Sequence, residues 1–212
     1  MDYMIYILAI CISAPLVLMT VLADAKSRRL FGFMILGMYI AVLASEINAI
    51  LSYLFRDSMD YFHITITITP INEEILKALP LLFTAIVFCD SRKFLFQRAM
   101  SIGLGFAILE NTFILIQNVE SVSLLWAMIR GFSSGLMHAL CTISIGVGIS
   151  LIKRRRKLFA CSTFAWLMVA TIYHSLYNML VQSDYWYVGV AIPAISYIPV
   201  AVVIKKRKLN AT

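Results

Sequence analysis

The chain has 212 residues, of which 61% are hydrophobic and only 14% charged, with a formal net charge of +7. Ordinary soluble domains are roughly a quarter charged, and a soluble monomer of this size could not keep so much apolar surface from water. The composition therefore excludes a cytosolic or nucleic-acid-binding fold. It points to an all-α, polytopic membrane protein, in which excess positive charge marks cytoplasmic loops.

A bilayer-crossing helix needs about 20 mostly apolar residues. Runs of that kind lie near 3–23, 30–55, 72–89, 99–118, 124–152, 158–181 and 186–204. About seven transmembrane helices are expected, forming one integral-membrane domain over residues 1–212. The first run has no basic leader and is followed by Lys26, Arg28 and Arg29, so it reads as a span and not as a cleavable signal. Segments 24–29, 90–98, 153–157 and 205–208 hold 15 of the 18 Lys and Arg residues. The alternation places the amino terminus outside and the carboxyl terminus in the cytoplasm. Basic loops of this kind face lipid headgroups and call for no nucleic-acid partner.

Cys11, Cys89, Cys141 and Cys161 lie in or beside apolar runs without a CxxC, and read as small buried hydrophobes. The segment from Ile64 to Pro70 alternates Ile and Thr with period two, the pattern of a half-buried strand. It is expected either as a loop folded over the helix ends or as an edge strand able to pair with an extended peptide.

Polar groups inside the spans carry the functional signal, because an ionised side chain at mid-bilayer costs about 2.5–3.5 kcal/mol even on insertion scales. They are Glu46, Glu73, Glu74, Lys77, Glu110, Arg130, His138 and His174, with Asn72, Asn111 and Asn178 beside them. Asn72 reads as a helix N-cap, which puts Glu73 and Glu74 in a first turn with Lys77 one turn on. A capped helix start with a local ion pair and a functional carboxylate pair both fit this segment. Glu110 follows Phe106 by one turn and precedes Asn111. Arg130, Ser134 and His138 share a drifting face at i, i+4 and i+8, and Gly131 and Gly135 form a GxxxG that permits close helix approach. His174 and Asn178 point the same way one turn apart. At 1.5 Å per residue, Glu110 and His174 lie about 12 and 10 Å from the outer ends of their spans, with His138 deeper at about 21 Å. These residues are expected to border one wet cavity in the outer half of the membrane.

Adjacent carboxylates, histidines and an Asn donor suit a carboxylate that takes a proton from water while His and Asn stabilise a tetrahedral oxyanion, as in amide hydrolysis. The sequence has no HExxH. No cofactor is required for this chemistry; a divalent metal such as zinc, held by Glu73, Glu74, Glu110, His138 or His174, is the alternative. Intramembrane acids and histidines also build proton relays. A proton-coupled transporter therefore stands as the competing function, with a non-catalytic scaffold or immunity protein beside it. No repeat between the halves supports the transporter.

The ordered set Glu73-Glu74-x-x-Lys77, Phe106-x-x-x-Glu110-Asn111, His138 and His174-x-x-x-Asn178 resembles the PrsW intramembrane proteases from about residue 72 to 178, within a motif-bearing catalytic core of about 72–181. PrsW belongs to the wider group of type II CAAX prenyl proteases and CPBP proteins, whose first motif is usually EExxxR and second FxxxH. Here Lys77 replaces the Arg at shorter spacing and Glu110 stands where the His would be, as in the PrsW branch. The resemblance implies a multi-pass protease of the bacterial cytoplasmic membrane making a site-1-type cut in a single-pass membrane protein, such as an anti-sigma factor, within a signalling cascade. By the same resemblance Glu73 is the base, with Glu74 orienting it or sharing a proton. His174 and Asn178 form the oxyanion hole, Glu110 and His138 position water or tune the carboxylate pair, and Lys77, Asn111 and Arg130 support them.

Overall fold

A computed structural model describes residues 25–88, 92–120, 122–151 and 156–209. Six helices account for nearly all of them: α1 (Ala25–Phe55), α2 (Tyr61–Val87), α3 (Arg92–Gln117), α4 (Leu124–Ile149), α5 (Arg156–Val181) and α6 (Trp186–Leu209). The expected span at 3–23 lies outside the described residues, so the described bundle has one helix fewer than the seven expected. Four stretches, within α1, α3, α4 and α5, are long and apolar enough to cross a membrane. α2 is of similar length but carries Glu73, Glu74 and Lys77, and the apolar part of α6, Trp186–Pro199, is shorter. The chain is thus an all-helical, multi-pass membrane protein.

The Ile-Thr alternation does not form a strand or a loop. Residues 61–70 are the first turns of α2, which starts eleven residues before Asn72. Asp60 is the N-cap; its carboxylate accepts from the His63 backbone N–H at 2.8 Å, which lowers the Asp60 pKa. Thr65 and Thr67 turn their hydroxyls back onto the Phe62 and His63 carbonyls at 2.8 and 2.6 Å. Each threonine thus hides its polar atom along the helix, and period two loses to the need to satisfy every backbone group within one segment. Pro70 and Pro80 lie inside α2. Lacking an N–H, each leaves the carbonyl four residues earlier without its helical donor.

α1 packs most extensively on α3, α3 on α4, and α4 on α5, while α2 lies against α5 and α1 and also reaches α4. Between them runs a core that includes Met38, Leu81, Ile102, Phe106, Leu109, Met137, Ile145 and Ile149. The close approaches differ from those read off the GxxxG. A Cβ on Gly131 would meet nothing within 4 Å, and one on Gly135 only the tip of Leu104. The backbones touch instead at Gly105, where a Cβ would run into the Met34 carbonyl, and at Gly103, where it would lie 2.6 Å from the His138 carbonyl oxygen. Gly103 therefore sets how closely the His138 turn approaches α3.

Large apolar side chains such as Leu43, Ile50, Phe83, Phe132, Phe164 and Ile172 are exposed on the outside of the bundle, as a lipid-facing surface requires. Cys141 is buried as expected, but Cys161 is exposed on α5, and Cys11 and Cys89 lie outside the described residues. The basic segment 90–98 is not a loop throughout: α3 begins at Arg92, and Arg98 is buried with its guanidinium 4.9 Å from the Phe33 ring. Gly103→Val is expected to lower the thermal midpoint of the protein in micelles, at a cost of about 1–3 kcal/mol for overpacking. Gly131→Ala is expected to leave the midpoint unchanged or slightly raised.

Candidate active site

Glu73, Glu74 and Lys77 sit three turns or more into α2, not at its start, and all are buried. The first turn that the Asn72 reading assigned to them belongs to residues 61–64. Lys77 Nζ lies 2.6 Å from Glu74 Oε1 and 3.0 Å from His138 Nδ1, with the Phe106 ring 4.5 Å away. An ammonium only donates, so His138 Nδ1 accepts from it. The imidazole proton then sits on Nε2, which donates to Glu110 Oε2 at 2.7 Å.

His174 is held in the opposite sense. Its Nδ1 is 2.8 Å from Glu74 Oε1, a carboxylate oxygen that can only accept when ionised, so Nδ1 carries the proton. In the neutral imidazole the Nε2 lone pair then faces Glu73 Oε2 at 3.9 Å. The two imidazoles meet edge to face, 5.0 Å apart. Glu73 Oε1 accepts from Asn48 Nδ2 at 3.2 Å, whereas Oε2 is buried and makes no hydrogen bond among the described residues.

Six of the nine expected residues, Glu73, Glu74, Lys77, Glu110, His138 and His174, form this contiguous cluster from α2, α3, α4 and α5. Arg130 joins it through Glu110 Oε1 at 3.9 Å, and these two side chains are the accessible edge, 19% and 26% exposed. Asn178 does not complete an oxyanion pair with His174. Its amide donates to the Thr65 carbonyl at 3.0 Å, tying α5 to α2. In the tautomer that Glu74 imposes, His174 Nε2 has no proton to offer. Asn111 is buried on α3, and its Oδ1 has no hydrogen-bond partner among the described residues.

The depths also differ from those expected. Glu74 lies about 20 Å along α2 from Tyr61, at the level of His174. His138 lies about 21 Å along α4 yet touches Glu110 and approaches His174, which lie about 10 Å from the ends of their helices. The amino-terminal turns of α4 therefore project past those ends, which leaves Leu124, Leu125 and Met128 exposed. Asn48 was missed by the sequence reading. Its signal was the one that marked the other residues, a polar side chain within an apolar run, but it stands in α1, far from every motif.

Glu73, His138 and His174 each offer a ligand atom within 4.8 Å of the others, and all three are buried. One carboxylate and two imidazoles are the donor set of many catalytic zinc sites. The unbonded Glu73 Oε2 and the His174 Nε2 lone pair facing it fit such an ion. Glu74 and Glu110 are each bonded to the far nitrogen of one imidazole, which orients the ring as carboxylates behind metal-binding histidines usually do.

The chain matches the model of the PrsW family intramembrane metalloproteases over residues 26–204 and belongs to that family. No curated protein and no solved structure matches it. The site residues lie within the matched span.

Lys77→Met leaves Glu74 in the interior without its cation, and is expected to destabilise the protein by about 3–5 kcal/mol. Adding Glu74→Gln should recover much of that loss. Unfolding of both single variants and the double variant in mixed micelles measures the coupling.

Proposed function

We propose that this PrsW-family protein is an endopeptidase of the bacterial cytoplasmic membrane that hydrolyses a peptide bond of a single-pass membrane protein, an anti-sigma factor being the expected class of substrate. The observation that carries the proposal is the buried cluster of Glu73, His138 and His174 with a carboxylate oxygen that no group among the described residues satisfies. A packing role leaves such an atom unexplained, because buried polar atoms are normally bonded.

Glu73, His138 and His174 would hold a divalent metal such as zinc, which when bound supplies a Lewis acid that lowers the pKa of water. The chain's own groups do the rest. Glu74 keeps the proton on His174 Nδ1 and so presents the Nε2 lone pair. Lys77 offsets the charge of Glu74, and must release His138 Nδ1 if that nitrogen is to ligate. With Glu73 engaged as a ligand, Glu110 at the accessible edge is the carboxylate that takes the proton of the attacking water and returns it to the leaving amine. Arg130 beside it is the donor best placed to polarise the scissile carbonyl, since the Asn178 amide is engaged elsewhere. The positive-inside pattern puts this edge on the extracytoplasmic half of the membrane, where a site-1-type cut is made.

In cells co-expressing the full chain with epitope-tagged single-pass anti-sigma factors of the host, cleavage by the wild type is expected to vanish in Glu73→Gln and His174→Ala at unchanged protein level. Glu110→Gln should slow it by about 10²–10⁴-fold. Chelation of the purified protein should stop cleavage, and added zinc should restore it. Wild-type rates in Glu73→Gln would refute the assignment, and chelator-insensitive cleavage that still needs Glu73 would refute the metal.

A further inference from the structure

The cluster is reached from α1 by a chain of side-chain amides that the peptidase reading does not use. Asn72 Nδ2 lies 3.3 Å from the Ala44 carbonyl oxygen and 2.7 Å from Asn48 Oδ1, and Asn48 Nδ2 lies 3.2 Å from Glu73 Oε1. The polarity of this chain follows from its two ends. A backbone carbonyl can only accept, so the atom of Asn72 facing Ala44 must be the NH₂. The same NH₂ points at Asn48, so the Asn48 atom there must be the oxygen. That leaves the Asn48 NH₂ facing the carboxylate, where it can only donate. Ala44 is itself buried, so the anchor is a backbone atom inside the helix packing and not a mobile side chain.

We infer that Asn48, oriented by Asn72 from the Ala44 carbonyl, is a positioning residue that selects which oxygen of Glu73 faces His174. Donation to Oε1 removes that oxygen from the site and fixes the carboxylate plane. Oε2 is then the unbonded oxygen opposite the His174 lone pair. Without the amide, the carboxylate is free to turn about its last torsion, a broad rotation with no staggered well to hold it. Its free oxygen would then no longer be aimed. Outer-shell partners of this kind typically contribute 10–100-fold to metal affinity or turnover. The inference rests on the proposed role of Glu73 as a metal ligand, but the hydrogen bond can be read independently of metal.

Two measurements on the full chain in micelles test it. Zinc chloride titration against a competing chelator is expected to show affinity about 10–100-fold weaker in Asn48→Leu, which keeps the size but removes the donor. The loss should be partial in Asn72→Leu, with recovery in Asn48→Gln, which restores an amide. In the metal-free protein, the infrared carboxyl band that disappears in Glu73→Gln should shift in Asn48→Leu and move back in Asn48→Gln. Thermal midpoints close to wild type separate positioning from misfolding, and Asn72→Leu serves if Asn48→Leu does not fold. An unshifted band in Asn48→Leu and Asn72→Leu, with wild-type zinc affinity, overturns the inference. A shifted band in a protein whose zinc binding is indifferent to Glu73→Gln overturns the metal reading and leaves Asn48 in its role.

Discussion

The structure depends on keeping ionic groups inside a bundle that lipid surrounds. Lys77 and Glu74 are both fully buried, and neither could remain there alone. The attraction between buried charges repays their desolvation only when the geometry is close and the remaining donors and acceptors are used. Here the ammonium is shared between Glu74 and His138, with the Phe106 ring beside it, and Glu74 Oε1 accepts from both Lys77 and His174, while its Oε2 has no hydrogen-bond partner among the described residues. One ion pair on α2 thereby fixes contacts to α4 and α5. The polar centre is thus part of what holds the helices in register, together with the apolar core.

The same pair has a chemical consequence. Two histidines of one cluster are held in opposite tautomers because one faces a cation and the other an anion. His138 donates a hydrogen bond from Nε2 to Glu110 at the accessible edge, while His174 turns a lone pair toward Glu73. Histidine identity alone could not assign these roles; the partner at the far nitrogen decides them. Close packing preserves the assignment. Gly103 brings the His138 turn against α3, and the backbone of α4 has no room to retreat without opening the bundle.

Several elements show how far residue patterns reach. Helix type and approximate extent were legible for α1, α3, α4 and α5, because a membrane interior demands long apolar runs and leaves no ambiguity of period. The start of α2 was not. Alternating Ile and Thr is a strand pattern in water, but Thr65 and Thr67 bond back onto their own helix and Asp60 caps it, and local pattern does not report that competition. The GxxxG of α4 was legible as a motif, yet a Cβ on Gly131 would meet nothing among the described residues, and close backbone approaches fall at other glycines, Gly103 and Gly105 among them. Which small residue meets a neighbour depends on helix rotation, and rotation is set by all the packing at once.

The sequence by itself determined that this is a helical membrane protein with costly polar groups in its spans, and it named six of the residues that converge. It did so because the energetic penalty for a charge in hydrocarbon is large enough to make every such residue conspicuous. Tertiary structure alone decided that Asn178 bonds to Thr65, that Asn48 from α1 reaches Glu73, and which nitrogen of each histidine is free. Those outcomes turn on distances between side chains from different helices. Hydrogen bonds weaken steeply within an ångström and a few tens of degrees, finer than any spacing along one chain can specify.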